Sequence, residues 1–171
     1  MFDSVESTKS TCPPAPESLE VAAALAMAVR CLSRREYAAK ELFSRLIRGG
    51  HSESDAQMAI QHCQLRDWQN DARMAATFIR SHLQRGHGPL WVKRDLQQRG
   101  VDLALVDELM QCHAKEWTQV AVQQIRRKGG AVNIASRRAP RQMLQMLCRR
   151  GFTLSQARIA WDVVQREQDK E

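Results

Sequence analysis

A chain of 171 residues with 43% hydrophobic content is long enough for one ordinary domain or several small packed modules, and too apolar to be disordered throughout. Its net charge of +7, from 26 Lys and Arg against 19 Asp and Glu, favours a polyanionic partner. Residues 114–171 alone carry +7, and no acid occurs between Glu116 and Asp162, so the positive field is concentrated at the C-terminal end.

Residues 1–17 combine Ser, Thr, Pro and acid without periodicity, and Cys12-Pro13-Pro14-Ala15-Pro16 stops any helix, so this segment reads as a flexible tail. From Ser18 the apolar series Leu19, Val21, Ala22, Leu25, Ala28, Val29 and Leu32 predicts an amphipathic helix. Ser33-Arg34-Arg35-Glu36 has the spacing of a capping box and predicts the start of a second helix, with Leu42, Phe43, Leu46 and Ile47 on its buried side and Gly49-Gly50 at its end. Ser52-x-x-Asp55 then opens a third, carrying Ala56, Ala59, Ile60 and Cys63. The same order follows downstream. Asn70 caps a helix with Met74, Ala75, Phe78, Ile79 and His82 on one stripe. Gly86 and Gly88 break it, Pro89 begins another with Val92 and Leu96 one turn apart, and Gly100 ends that one. Asp102 caps the next, with the ridge Leu105, Val106, Leu109 and Met110. In the last third, Trp117, Val120, Ala121 and Ile125 mark a helix. A longer loop, Gly129 to Ala139, precedes Pro140, and Thr153-x-x-Gln156 caps a final helix with Ala157, Ala160, Trp161 and Val164 on its buried stripe.

This order is an internal repeat. Gly50, Gly100 and Gly151 lie 50 and 51 residues apart, and Leu46, Leu96 and Leu147 stand four residues before them. Leu42, Val92 and Met143 precede the glycines by eight, while Ile60, Met110 and Trp161 follow by ten. Val29-Arg30 is matched in the second unit by Ile79-Arg80. No strand signal of any length occurs. The expected architecture is all-α: three tandem three-helix repeats forming an elongated, curved array, with the tail at 1–17 and repeats at 18–66, 67–113 and 114–167.

No catalytic constellation emerges. Asp67, Asp71, Asp102, Asp107 and Glu108 sit at helix starts or on exposed faces, where capping or solvation explains them. Gly86-His87-Gly88-Pro89 lacks the Lys-Ser/Thr of a phosphate loop. The five cysteines Cys12, Cys31, Cys63, Cys112 and Cys148 are widely spaced, which argues against a disulfide scaffold. His62-Cys63 and Cys112-His113 read as small core thiols and rim histidines, because adjacent residues on a helix point in different directions; no metal and no cofactor is expected. Trp68, Trp91, Trp117 and Trp161 read as packing residues, with Trp91 placed near a helix start beside Lys93 and Arg94, where exposure is open to it. No basic start followed by an apolar run and no span-length apolar stretch is present, so the expectation is a cytoplasmic binder, not an enzyme, with no membrane partner.

The residues from Leu65 to Val101 carry a resemblance, through Asn70-Asp71-Ala72-Arg73, Phe78-Ile79-Arg80, Arg85-Gly86-His87-Gly88-Pro89, Leu96 and Gly100-Val101. They resemble the central module of bacterial RecX, the regulator of the RecA recombinase. The resemblance extends through Leu32-Ser33-Arg34-Arg35-Glu36-Tyr37 and Glu41-Leu42 upstream, and Cys112, Trp117 and Arg149-Arg150-Gly151-Phe152 downstream. It departs where members usually have Tyr-Leu-Asp-Asp and this chain has Trp68-Gln69-Asn70-Asp71, and where an aromatic usually stands at Met74; Trp and Met are expected to fill the same buried volume. The resemblance implies a three-repeat helical protein that binds along the groove of the RecA filament on DNA and restrains strand exchange, ATP hydrolysis and coprotease action, in DNA repair and the SOS response; a monomer is expected. The other reading of the same residues is a sequence-nonspecific module for single- and double-stranded DNA.

The candidate contacts to RecA or DNA are cations away from the apolar stripes: Arg80, Arg85, Lys93 and Arg94 in the second repeat, and Arg126, Arg127, Lys128, Arg137, Arg138 and Arg141 around the long loop of the third. A solvated face explains any single one equally well. As a group they stand out, because the stretch from Arg126 to Arg150 contains no compensating acid.

Overall fold

The computed structural model describes residues 18–129 and 138–168. Among them every regular element is a helix: α1 (Leu19–Leu32), α2 (Ala39–Arg48), α3 (Glu53–Leu65), α4 (Asp71–Gln84), α5 (Pro89–Gln98), α6 (Leu103–Cys112), α7 (Ala114–Gly129), α8 (Ala139–Arg149) and α9 (Leu154–Gln168). In chain order they form three tandem three-helix repeats.

The repeated leucine and glycine have one structural meaning. Gly50, Gly100 and Gly151 adopt φ of +90°, +84° and +87°, the left-handed region that ends a helix most cheaply at glycine. Each glycine N–H donates to the carbonyl three residues back, and the next residue donates to the carbonyl of Leu46, Leu96 or Leu147 at 3.1–3.2 Å. This is the Schellman arrangement, in which the residue after the glycine packs back on the helix. Val101 and Phe152 do so and are buried, as are all three leucines.

The described residues divide into two compact units, one formed by residues 18–35 together with Leu42–Gln69, the other by Glu36–Glu41 and the described residues from Asn70 onward. In the first unit α1 packs on α3. Ala24 and Ala28 on α1 and Ala56 and Ala59 on α3 are fully buried, and such short side chains let two helix backbones approach closely. The inward stripe of α1 is Val21, Ala24, Ala28 and Cys31, which corrects the sequence expectation: Leu19 is 82% exposed and Val29 38%. On α2, Leu42 and Leu46 are buried, Phe43 is half-buried and Ile47 is exposed.

The Ser33 capping box is also corrected. Ser33 closes α1 instead of opening α2: its N–H donates to the Val29 carbonyl and its hydroxyl to the Arg30 carbonyl. Glu36 accepts from Arg73 Nε at 2.6 Å, and the first N–H of α2, on Ala39, donates to the carboxylate of Asp71 at 2.9 Å. The start of α2 is thus capped from 32 residues away in sequence, where no local pattern reports it. The other caps stand where the sequence puts them. Ser52, Asn70 and Asp102 each accept a backbone N–H of the following turn, and Thr153 and Gln156 exchange the reciprocal bonds of a capping box.

Among the described residues the second unit holds two hydrophobic clusters. One joins Met74, Ala75, Ile79 and Leu83 of α4 with Val92, Leu96, Val101 and Val106, and takes Ala38 and Trp117 from outside the repeat. The other joins Ala121, Val122 and Ile125 of α7 with Met143, Leu147, Phe152, Ala157, Ala160, Trp161 and Val164. Helix α7 serves both, and Val120 packs against each. Met74 fills its buried position as expected. Trp68 does not: it is 46% exposed with the Arg66 guanidinium over its ring, and its neighbour Gln69 is buried instead, donating its N–H to the Cys63 carbonyl.

Candidate functional site

Repeats two and three are joined at the turn between α4 and α5. Gly88 N–H donates to the Arg150 carbonyl at 2.6 Å and Leu90 N–H to the Gly151 carbonyl at 2.9 Å. The unfilled donors at the start of α5 therefore meet the unfilled acceptors at the end of α8. Trp91, 52% exposed, lies over Gly151 and meets His87 at a tilt, as His87 meets His82. The two imidazoles share a hydrogen bond between their Nδ1 atoms at 2.8 Å. Burial holds the pKa of each below the ordinary 6.5; Arg150 and Arg85 push that of His87 further down, and His87 and Arg85 that of His82.

Beside this junction lie two adjoining cavities of about 510 and 400 Å³ that share Lys128, Met146 and Arg150. Arg85, Gln124 and Arg127 complete the smaller, and Gln142, Met143, Gln145 and Arg149 the larger. The ends of three helices converge here: α4 supplies Arg85, α7 supplies Arg127 and Lys128, and α8 supplies Arg149 and Arg150. No carboxylate occurs among the described residues that line the groove, and none of these five cations forms an ion pair among the described residues. Arg150 also donates to the Gly86 carbonyl at 3.5 Å.

Of the cations singled out in the sequence, the groove gathers Arg85, Arg127 and Lys128. Lys93 is paired with Asp107 of α6, and Arg126 is gripped by Glu167 of α9 at 2.6 and 3.2 Å. The stretch from Arg126 to Arg150 is therefore compensated at one point by an acid outside it. Arg80, Arg94, Arg138 and Arg141 are exposed away from the groove lining, and Arg137 lies outside the described residues, as does most of the loop before α8. Sequence reasoning passed over Arg149 and Arg150 as site residues. Cations in a last helical turn have a ready explanation in the helix dipole, and only the convergence of three such turns gives them another.

The histidine and cysteine pairs separate as well. His62 and Cys63 are both buried, so His62 is not at a rim, and burial pushes the Cys63 thiol up to about 11 against the opposing pull of Arg66. Cys31 is also buried, whereas Cys112 and Cys148 are exposed and are not core thiols. Trp117 and Trp161 are buried packing residues, whereas Trp68 and Trp91 are half-exposed.

Comparison with known proteins bears directly on these repeats. The family description "RecX, first three-helix domain" matches residues 24–63, and "RecX, second three-helix domain" matches residues 70–110. Regulatory protein RecX of Halorhodospira halophila is 35% identical over 133 residues, which covers 78% of this chain and 83% of that protein. This chain belongs to the RecX family. Regulatory protein RecX of Xanthomonas campestris pv. campestris is likewise 35% identical, over 136 residues. The crystal structure of RecX from Lactobacillus salivarius superposes with a TM-score of 0.76 at 19% identity, over 89% of this chain and 98% of that one. A second RecX crystal structure gives a TM-score of 0.72. RecX proteins thus share the all-helical repeat fold, and RecX is a family of regulatory proteins. None of the helices described here is long and apolar enough to cross a membrane.

Proposed function

We propose that this chain binds the RecA filament on DNA and restrains its strand exchange, ATP hydrolysis and coprotease action, acting as a monomer in the cytoplasm in DNA repair and the SOS response. The observation that carries this reading is the identity to regulatory RecX proteins along four-fifths of their length, far more than one motif. The basic third repeat supports it, since a RecA filament on DNA presents phosphate and protein surface together. The candidate contacts there are Arg137, Arg138 and Arg141 around the loop before α8.

The test is ATP hydrolysis by RecA filaments on single-stranded DNA, with and without the full chain. Inhibition is expected, and the reversal of Arg137, Arg138 and Arg141 to Glu is expected to abolish it while leaving the thermal transition nearly unchanged. Unimpaired hydrolysis with the folded wild-type chain overturns the reading. The uncompensated groove favours a second reading, a general phosphate-binding module. Salt separates the two: a pure phosphate binder leaves bare DNA and filament together, whereas a filament regulator stays on the filament.

A further inference from the structure

We propose that the groove formed by the ends of α4, α7 and α8 is a binding site for the backbone of one nucleic-acid strand, with Arg85, Arg127, Lys128, Arg149 and Arg150 holding its phosphates. This deepens the reading above by assigning the nucleic-acid contact to particular residues, most of them at helix ends.

The charge balance argues for a ligand. Cations at a helix C-terminus ordinarily neutralise its partial negative charge, about −0.5 per helix. Three such ends fall well short of five full positive charges, and no carboxylate among the described lining residues makes up the difference. The excess is felt nearby: Arg85 and Arg150 both oppose protonation of His87. Contrast with Lys93 and Arg126 sharpens the point. Those two cations, on the same repeats, are matched by Asp107 and Glu167, so the fold supplies acids where it neutralises charge and leaves the groove without them.

The lining also selects the class of anion. Four of the five cations are arginines, whose planar fork fits phosphate oxygens in pairs. Three glutamines, Gln124, Gln142 and Gln145, add neutral donors, and Met146 gives the floor an apolar surface suited to sugar carbons. No aromatic ring occurs among the described lining residues, so bases have no stacking platform and sequence is not read. Two adjoining cavities suit a chain of successive phosphates better than a single anion.

The experiment measures binding of the full chain to labelled oligo(dT) by fluorescence anisotropy as salt is varied, in the absence of RecA. The double variant Arg127→Ala with Arg149→Ala is expected to weaken binding by about tenfold or more and to lower the salt slope by about 0.7 per lost contact. The charge-preserving pair Arg127→Lys with Arg149→Lys is expected to keep most of the salt slope, and Arg158→Ala with Arg166→Ala, exposed on α9 outside the groove lining, to change affinity less than about twofold. Oligo(dA) is expected to bind as oligo(dT) does. Wild-type affinity in the Arg127/Arg149 alanine variant, with an unchanged thermal transition, overturns the site. Equal loss in the Arg158/Arg166 variant overturns it too, and competition by poly-glutamate as effective as oligo(dT) would assign the groove to an acidic protein segment instead. Because RecA is absent, failure here leaves the filament reading standing, and failure of filament inhibition leaves this one.

Discussion

His82 and His87 show how much of this protein's behaviour is set at single side chains. One proton bridges their Nδ1 atoms, and a second proton there would break that hydrogen bond, setting an imidazolium N–H against the N–H of its neighbour beside Arg85 and Arg150. Asp95 favours that proton at His82, and Arg99 disfavours it. Both folded-state pKa values lie below the unfolded 6.5, so the unfolded chain binds more protons and stability falls as pH drops below that value. Thermal melts are expected to show a lower transition at about pH 5.5 than at about pH 7.5, with a shallower dependence in His87→Gln. An identical pH dependence in that variant would place the titrating groups elsewhere.

At the scale of elements, the decisive contact is the meeting of α5 and α8. A Cβ at Gly88 would fall 2.3 Å from the Gly151 carbonyl carbon and the Phe152 nitrogen, both main-chain atoms that have no rotamer with which to move aside. Gly88 has an ordinary φ of −89°, so its glycine is required by this approach and not by backbone conformation. Gly88→Ala is expected to cost about 1–3 kcal/mol in chemical denaturation, through overpacking, and to speed amide exchange at Leu90. Normal protection at Leu90 would show that the junction absorbs the methyl group. Loss of this junction would also part Arg85 from Arg150, so the element contact and the groove are tied together.

For the molecule as a whole, α7 is the member that makes two repeats behave as one unit. Trp117, 1% exposed, is built into the core of repeat two, while Ala121, Val122 and Ile125, one and two turns later on the same helix, belong to the core of repeat three. Removing a buried Trp side chain costs about 3–5 kcal/mol. Trp117→Ala is therefore expected to reduce hydrogen-exchange protection in α4 and α8 together. A loss confined to α4 would mean that the repeats open independently.

Local chemistry made the helices legible. Capping residues at Ser52, Asn70, Asp102 and Thr153, glycines with left-handed φ, and leucines at the matching carbonyls all act within one or two turns, so they appear in sequence as spacing. The inward faces of α4 and α9 were legible for the same reason, since one stripe of each meets one core. The first face of α1, the start of α2 and the exposure of Trp68 were not, because partners distant in sequence decide them: Asp71 caps α2, and which side of α1 is inward depends on α3. The basic groove belongs to this second kind. Sequence placed cations in the third repeat, but charge is spread over every face of a helix, and only packing decided that Lys93 and Arg126 would find acids while Arg85, Arg127, Lys128, Arg149 and Arg150 would line one groove without them. What the sequence alone determined is the set of helices and their repeat; what tertiary structure decided is which charges remain to act together, because that follows from how helix ends meet across repeats and no short-range spacing encodes it.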